Sequence, residues 1–233
     1  MTYERRRNEN MKGGSEMWNR ANDPKQLEIR RREILDKGFE LMSQRSIDSV
    51  LMQEVADSIG CGIATLYRYY STKQAFVVAV SSWKWDQFAK EIWDSWGKRG
   101  VDQGKSAAVH FELYLDFFLE LFRNHSDFLC FNQFFNVYIR SEQIDAETLK
   151  PYQEMIGRMR EHFHNTVYLK AEQDHTIRTD ESEEKMFSKT IHIMLAVVTR
   201  YSVGLAYTPE GGLDAMEELE YLKDVILRDY KTG

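Results

Sequence analysis

The chain has 233 residues, 42% hydrophobic and 29% charged, with a formal net charge of −6. That length allows one large or two small domains with a sizeable core, but its longest apolar stretch, Ile191 to Val198, is broken by His192 and falls far short of the roughly 20 residues of a membrane span. The first residues lack the apolar core of a secretory signal and only Cys61 and Cys130 occur, far apart, so a reducing, cytoplasmic setting without membrane association is expected.

Only Pro24, Pro151 and Pro209 occur, and β-branched residues nowhere alternate with polar ones over a strand length. An all-α chain of about nine helices is therefore expected. Residues 1–22 are polar and aperiodic, a mobile arm carrying Arg5, Arg6 and Arg7. Asp23-Pro24-Lys25-Gln26 reads as a helix start, and Leu27, Ile34, Leu41 and Met42, with Gly38 between them, share one face of a helix reaching about Arg45. After the turn-forming Ser46-Ile47-Asp48-Ser49 come two short amphipathic segments. Val55, Ala56 and Ile59 share a face of the first, Leu66 and Tyr70 point inward from the second, and Gly60-Cys61-Gly62 joins them. Two short helices on a tight glycine turn are the skeleton of a helix-turn-helix.

Ser71 with Gln74 has capping-box spacing for a long helix reaching about Lys98, with Phe76, Val80 and Trp83 on one stripe and Gly97, Gly100 and Gly104 closing it. Helices are expected over 105–123, 126–139 and 149–170, the last with Pro151 in its first turn. Asp180 with Glu183 and Asp214 with Glu217 mark two more starts, separated by Pro209, Gly211 and Gly212. The domains expected are an arm (1–22), a reading domain (23–72) and a helical regulatory and dimerisation domain (73–233).

Charge counted by region changes what the net value means. Through Phe76 there are 13 basic against 11 acidic residues, and beyond it 18 against 26. A mildly basic front can approach phosphate, whereas the acidic back cannot easily do so.

The run Ala64-Thr65-Leu66-Tyr67-Arg68-Tyr69-Tyr70-Ser71-Thr72-Lys73-Gln74-Ala75-Phe76, preceded by Val55-Ala56 and Gly60, resembles the DNA-binding signature of TetR-family transcriptional regulators without a gap over residues 34–76. The resemblance implies that Gln53, Ile63, Ala64 and Thr65 face bases and that Tyr67, Tyr69 and Lys73 grip phosphates, with Arg68 a candidate for guanine or phosphate. Leu51 stands where the family has a capping Thr, so Ser49 is the expected cap. Gly62 replaces a capping Ser, Ser46 a turn Gly and Cys61 a Val.

In the back half, Phe111, Tyr114, Phe117, Phe118, Phe128, Phe131, Phe134, Phe135 and Tyr138 exceed one stripe per helix, so those helices are buried on several sides or line a cavity. The resemblance implies an effector pocket there, for which Phe88, Ile92, Tyr114, Phe118, Phe134, Tyr138, Met159 and Met194 are the candidates. It also implies a four-helix interface between two copies, expected at Ile191, Leu195, Val198, Leu219, Leu222 and Ile226. No His, Cys or carboxylate set has metal-ligand spacing and no catalytic constellation appears, so neither metal, cofactor nor enzymatic activity is expected. The reading is a ligand-responsive repressor that binds a palindromic DNA operator as a homodimer. The alternative is a DNA-binding regulator whose acidic back half answers to a protein partner.

Overall fold

The computed structural model describes residues 24–98, 104–207, 212 and 214–232; the arm with Arg5 to Arg7, the cap Asp23, and Gly100, Pro209, Gly211 and Leu213 lie outside them. Within these residues the chain is all helical, with one isolated antiparallel bridge between Ile177 and Lys231. The helices are α1 (Pro24–Gln44), α2 (Met52–Ser58), α3 (Ile63–Tyr69), α4 (Lys73–Lys98), α5 (Ala107–Asn124), α6 (Ser126–Ser141), α7 (Ala146–Phe163), α8 (Leu169–Asp174), α9 (Glu183–Val203) and α10 (Ala215–Tyr230). A π-helical turn, His164–Tyr168, joins α7 to α8 as one rod, making nine rods among the described residues. No described helix is long and apolar enough to cross a membrane.

The helix starts follow local hydrogen-bonding chemistry, and several lie a few residues from the expected ones. Thr72, rather than Ser71, caps α4, its hydroxyl accepting from Ala75 N at 3.0 Å, and Gln74 instead donates to Glu142 at 2.9 Å. Asp145 caps α7 by accepting from Thr148 N at 2.8 Å, so the helix begins before Leu149 and Pro151 sits inside it. Ser182, not Asp180, caps α9, whereas Asp214 caps α10 as expected, accepting from Met216 N and Glu217 N. Each cap satisfies N–H groups that the first helical turn leaves without a partner.

α1, α2 and α3 pack around Ile34, Leu35, Phe39, Met42, Val55, Ala56 and Leu66, all buried, while Leu27 is exposed. Tyr70 and Phe76 close this core from below, their ring centroids 5.1 Å apart. Gly38 is the contact that sets α1 against α4: a β-carbon there would stand 2.3 Å from Phe76 Cζ. Phe39 of α1 continues the core into the larger bundle, its ring centroid 5.5 Å from that of Phe131 on α6.

Candidate nucleic-acid interface and effector cavity

The helix-turn-helix is positioned by backbone geometry first. Gly60 takes φ +62°, a left-handed conformation that β-carbon-bearing residues rarely adopt, and lets the chain reverse after α2. Gly62 then caps α3 through extended backbone, without a side-chain acceptor. At the start of α2 the cap is Leu51, 61% exposed, and not Ser49, whose hydroxyl donates back to Ser46 O. Glu54 compensates by accepting from Leu51 N at 2.7 Å and from Arg45 at 2.8 Å, and the Leu51 amide followed by Arg45 holds its carboxyl below the usual range.

Two arginines of α1 fix this unit. Arg30 donates to Ile59 O at 3.0 Å, holding the turn, and Arg31 reaches the Tyr70 hydroxyl at 3.4 Å, holding the end of α3. Their sequence signal was only a basic run, Arg30-Arg31-Arg32, on a helix whose other face is core.

On α3, Ala64, Tyr67 and Arg68 are exposed, Ile63 and Thr65 are half-buried, and Leu66 is fully buried. Gln53 is exposed on α2 and donates to Asp57 at 2.7 Å. Tyr69 stands apart: it is half-buried in a cleft between α1, α4 and α7, beside Arg31, Trp83 and Arg158. Lys73 also turns toward the protein, donating to Asp48 O at 3.1 Å with its ammonium 5.8 Å from the Tyr138 ring centroid. Burial lowers the Lys73 pKa, opposed by the nearby Asp48, Glu142 and Glu54 carboxylates. The face available to a ligand from solvent is therefore built from Gln53, Ala64, Tyr67 and Arg68.

The larger domain holds a cavity of about 190 Å³ lined by Trp93, Trp96, Gly97, His110, Leu113, Tyr114, Phe117, Met159, His162 and Thr166. Of the expected pocket residues, Tyr114 and Met159 lie in this wall. Phe88, Ile92, Phe118, Tyr138 and Met194 are buried core elsewhere, and Phe134 is half-buried outside the lining. The π-helical turn brings Thr166 to the cavity, a local feature with no sequence marker and one often found at functional sites. His162 stacks on Trp93 with centroids 3.9 Å apart, and burial, followed by the charge of His110, lowers its pKa. His164 points elsewhere, its Nδ1 2.6 Å from Glu183.

Ile191, Val198, Leu219 and Ile226 face inward into the chain's own core, and Leu195 and Leu222 are half-buried. The apolar residues that α9 and α10 leave exposed are Ile193, Val203, Tyr221 and Val225, and Tyr207 follows α9. Lys223, bonded to Asp116 and Glu220 at 3.0 Å each, ties α10 to α5.

Residues 34–80 match the family model described as bacterial regulatory proteins, tetR family. Two uncharacterized HTH-type transcriptional regulators of Mycobacterium tuberculosis are 34% identical over 68 residues, which is 29% of this chain and 34% of each relative, so the match spans about a third of their length. Among solved structures, a regulator from Saccharomonospora viridis in complex with choline aligns with TM-score 0.65 and 13% identity, over 88% of this chain and 100% of that one. The FadR regulator of Bacillus subtilis in complex with stearoyl-CoA gives 0.61 and 13%, over 84% and 97%. The ketosteroid regulator KstR2 of Mycobacterium tuberculosis gives 0.57 and 15%, over 88% and 96%. These low identities speak for the fold, and the helix-turn-helix match speaks for descent. Residues 34–80 therefore carry the helix-turn-helix segment of bacterial regulatory proteins of the tetR family, on a chain whose overall fold is that of the aligned regulators.

Proposed function

We propose that the chain is a homodimeric repressor that reads a two-fold operator through α3 and leaves it when a small molecule enters the cavity between α4, α5 and α7. The observation that carries the reading is the exposed face of Ala64, Tyr67 and Arg68 on a helix clamped by Arg30 and Arg31. A recognition helix presents its first turns to the major groove while flanking donors hold phosphates. Ala64 and Thr65 at the first turn allow close approach. Tyr67 and Arg68 supply the donors, and Gln53 reaches in from α2 once released from Asp57.

Two half-sites one helical turn apart, about 34 Å, require two recognition helices. The dimer face in this reading is the exposed apolar surface of Ile193, Val203, Tyr221 and Val225, since a two-fold interface must use the same patch on both copies.

A cavity favours a small molecule over a protein partner as the regulator, as do the choline and stearoyl-CoA complexes of the structural neighbours. Ring contacts lead from its wall to the reading domain. Phe117 stacks on Trp85 at 6.4 Å, Trp85 meets Phe128 at 4.8 Å, and Phe128 lies 6.3 Å from Phe39 of α1. The Lys73 and Gln74 bonds to Asp48 and Glu142 tie the first turn of α4 to the segments before α2 and after α6. Displacing Phe117 would shift α4 and α1 together. A coupling of about 1–3 kcal/mol changes DNA affinity by one to two decades.

Footprinting the purified protein on the DNA upstream of its own gene tests this reading. A two-fold protected site bound by a dimer is expected; an asymmetric site bound by one chain, or no site, would count against it.

A further inference from the structure

The proposed effector cavity has a chemistry specific enough to name a ligand class, and this inference rests on reading the cavity as that site. Its walls carry two indoles, a phenol and a benzyl ring, from Trp93, Trp96, Tyr114 and Phe117. Among the described residues, none of those lining it is Asp, Glu, Lys or Arg. A carboxylate or phosphate entering it would lose water without meeting a fixed cation, and an ammonium would lose water without meeting a carboxylate. One face of Trp93 is already covered by the His162 ring at 3.9 Å, which removes part of the π surface a cation would use. His162 is held toward its neutral form by burial, so it offers a ring edge rather than a charge.

Size narrows the class further. An engineered apolar cavity of about 150 Å³ takes benzene, and this one measures about 190 Å³. One substituted ring or a fused pair matches that volume, whereas a steroid or a long acyl chain would have to extend beyond it. Polarity supplies the remaining constraint. The Thr166 hydroxyl spends its proton on His162 O at 2.7 Å and keeps its lone pairs. The Tyr114 oxygen is 3.2 Å from Thr190 Oγ1. The lone pairs of Thr166 are an acceptor at the wall, which suits a ligand that brings a donor.

We infer that the cavity takes an uncharged, flat aromatic molecule of one or two fused rings bearing a single N–H or O–H group directed at Thr166. Indole is the probe for this class, 1-benzofuran its counterpart without the N–H, and choline and octanoate the charged comparators.

Isothermal titration of the full-length protein with each probe tests the proposal. Indole is expected to bind once per chain, at least tenfold more tightly than choline or octanoate. Leu113→Trp, which fills the cavity, should weaken indole at least tenfold. Thr166→Val should weaken indole three- to tenfold and leave 1-benzofuran unchanged, a difference that general loss of folding cannot produce. Absence of indole binding at millimolar concentration, or equal effects of Thr166→Val on both ring compounds, would overturn the assignment. So would choline or octanoate binding more tightly than indole, although release of DNA by either would leave the regulator reading standing. Failure of the unliganded protein to bind its upstream DNA would instead strike that reading.

Discussion

Gly38→Ala tests the packing that sets the reading domain on the long helix. In an ordinary helix interior this change stabilises by about 1 kcal/mol, because glycine loses more backbone freedom than alanine. Here the new methyl would stand 2.3 Å from Cζ and 2.9 Å from Cε1 of Phe76, and 3.2 Å from Cγ2 of Val80. Ordinary contact begins near 3.4 Å, so the ring must retreat by more than an ångström. Phe76 is fully buried, with the Tyr70 ring centroid 5.1 Å from its own, so the ring can retreat only by displacing packed neighbours. A contact this short against a buried ring belongs in the upper part of the overpacking range, about 2–3 kcal/mol, so after the propensity gain a net loss of about 1–2 kcal/mol remains. For a chain of this size, differential scanning calorimetry should show the melting temperature falling by about 2–8 °C. Phe76→Leu placed in the Gly38→Ala background should recover part of the loss although it destabilises on its own. An unchanged or raised melting temperature for Gly38→Ala would refute the claim that this glycine exists to admit the Phe76 ring.

Three further outcomes follow from particular residues. Gly62→Ser has open space at its β-carbon and places an acceptor at the cap of α3, so thermal denaturation should show a gain of a few tenths of a kcal/mol; a loss would contradict the cap geometry. Ile193→Glu, on the exposed face, is expected to shift sedimentation toward a single chain with the melting temperature of the dissociated form preserved, whereas Val198→Ala, in the core, should lower stability by about 1–2 kcal/mol. His162 has a folded pKa below its ordinary 6.5, so the unfolded chain binds more protons between those values and stability falls as pH drops through that window. In His162→Phe the loss of melting temperature between pH 7.5 and about pH 5.5 should be smaller than in the parent; an equal loss would place the acid sensitivity elsewhere.

The fold was largely legible because few prolines and strong helical periodicity leave one class open, and because the segment from Ala64 to Phe76 is a specific signature. Helix starts slipped where several capping residues compete: Ser71 and Thr72 are neighbours, and only the bond to Ala75 N distinguishes them. Tyr114 and Met159, drawn from aromatic and methionine-rich stretches, line the cavity, but Phe118 and Met194 share that patterning and are core. Periodicity reports that a helix is apolar on two sides and not which side a void adjoins. Thr166 could not be read at all, because it reaches the cavity through a π-helical turn with no compositional marker. On α9 and α10 the most regular apolar stripe, with Ile191, Val198, Leu219 and Ile226, belongs to the chain's own core. The less regular set with Ile193 and Tyr221 is the one left exposed.

The central claim, that α3 presents Tyr67 and Arg68 to DNA, is tested most directly by the salt dependence of operator binding. Each phosphate contact contributes about 0.9 to the slope of log K against log salt, so Arg68→Ala in a dimer should lower that slope by nearly 2 if each copy grips one phosphate. Tyr67→Ala should weaken binding at every salt concentration with a smaller change of slope. Parental affinity and slope in both variants, with the fold intact, would contradict the assignment of this face to DNA.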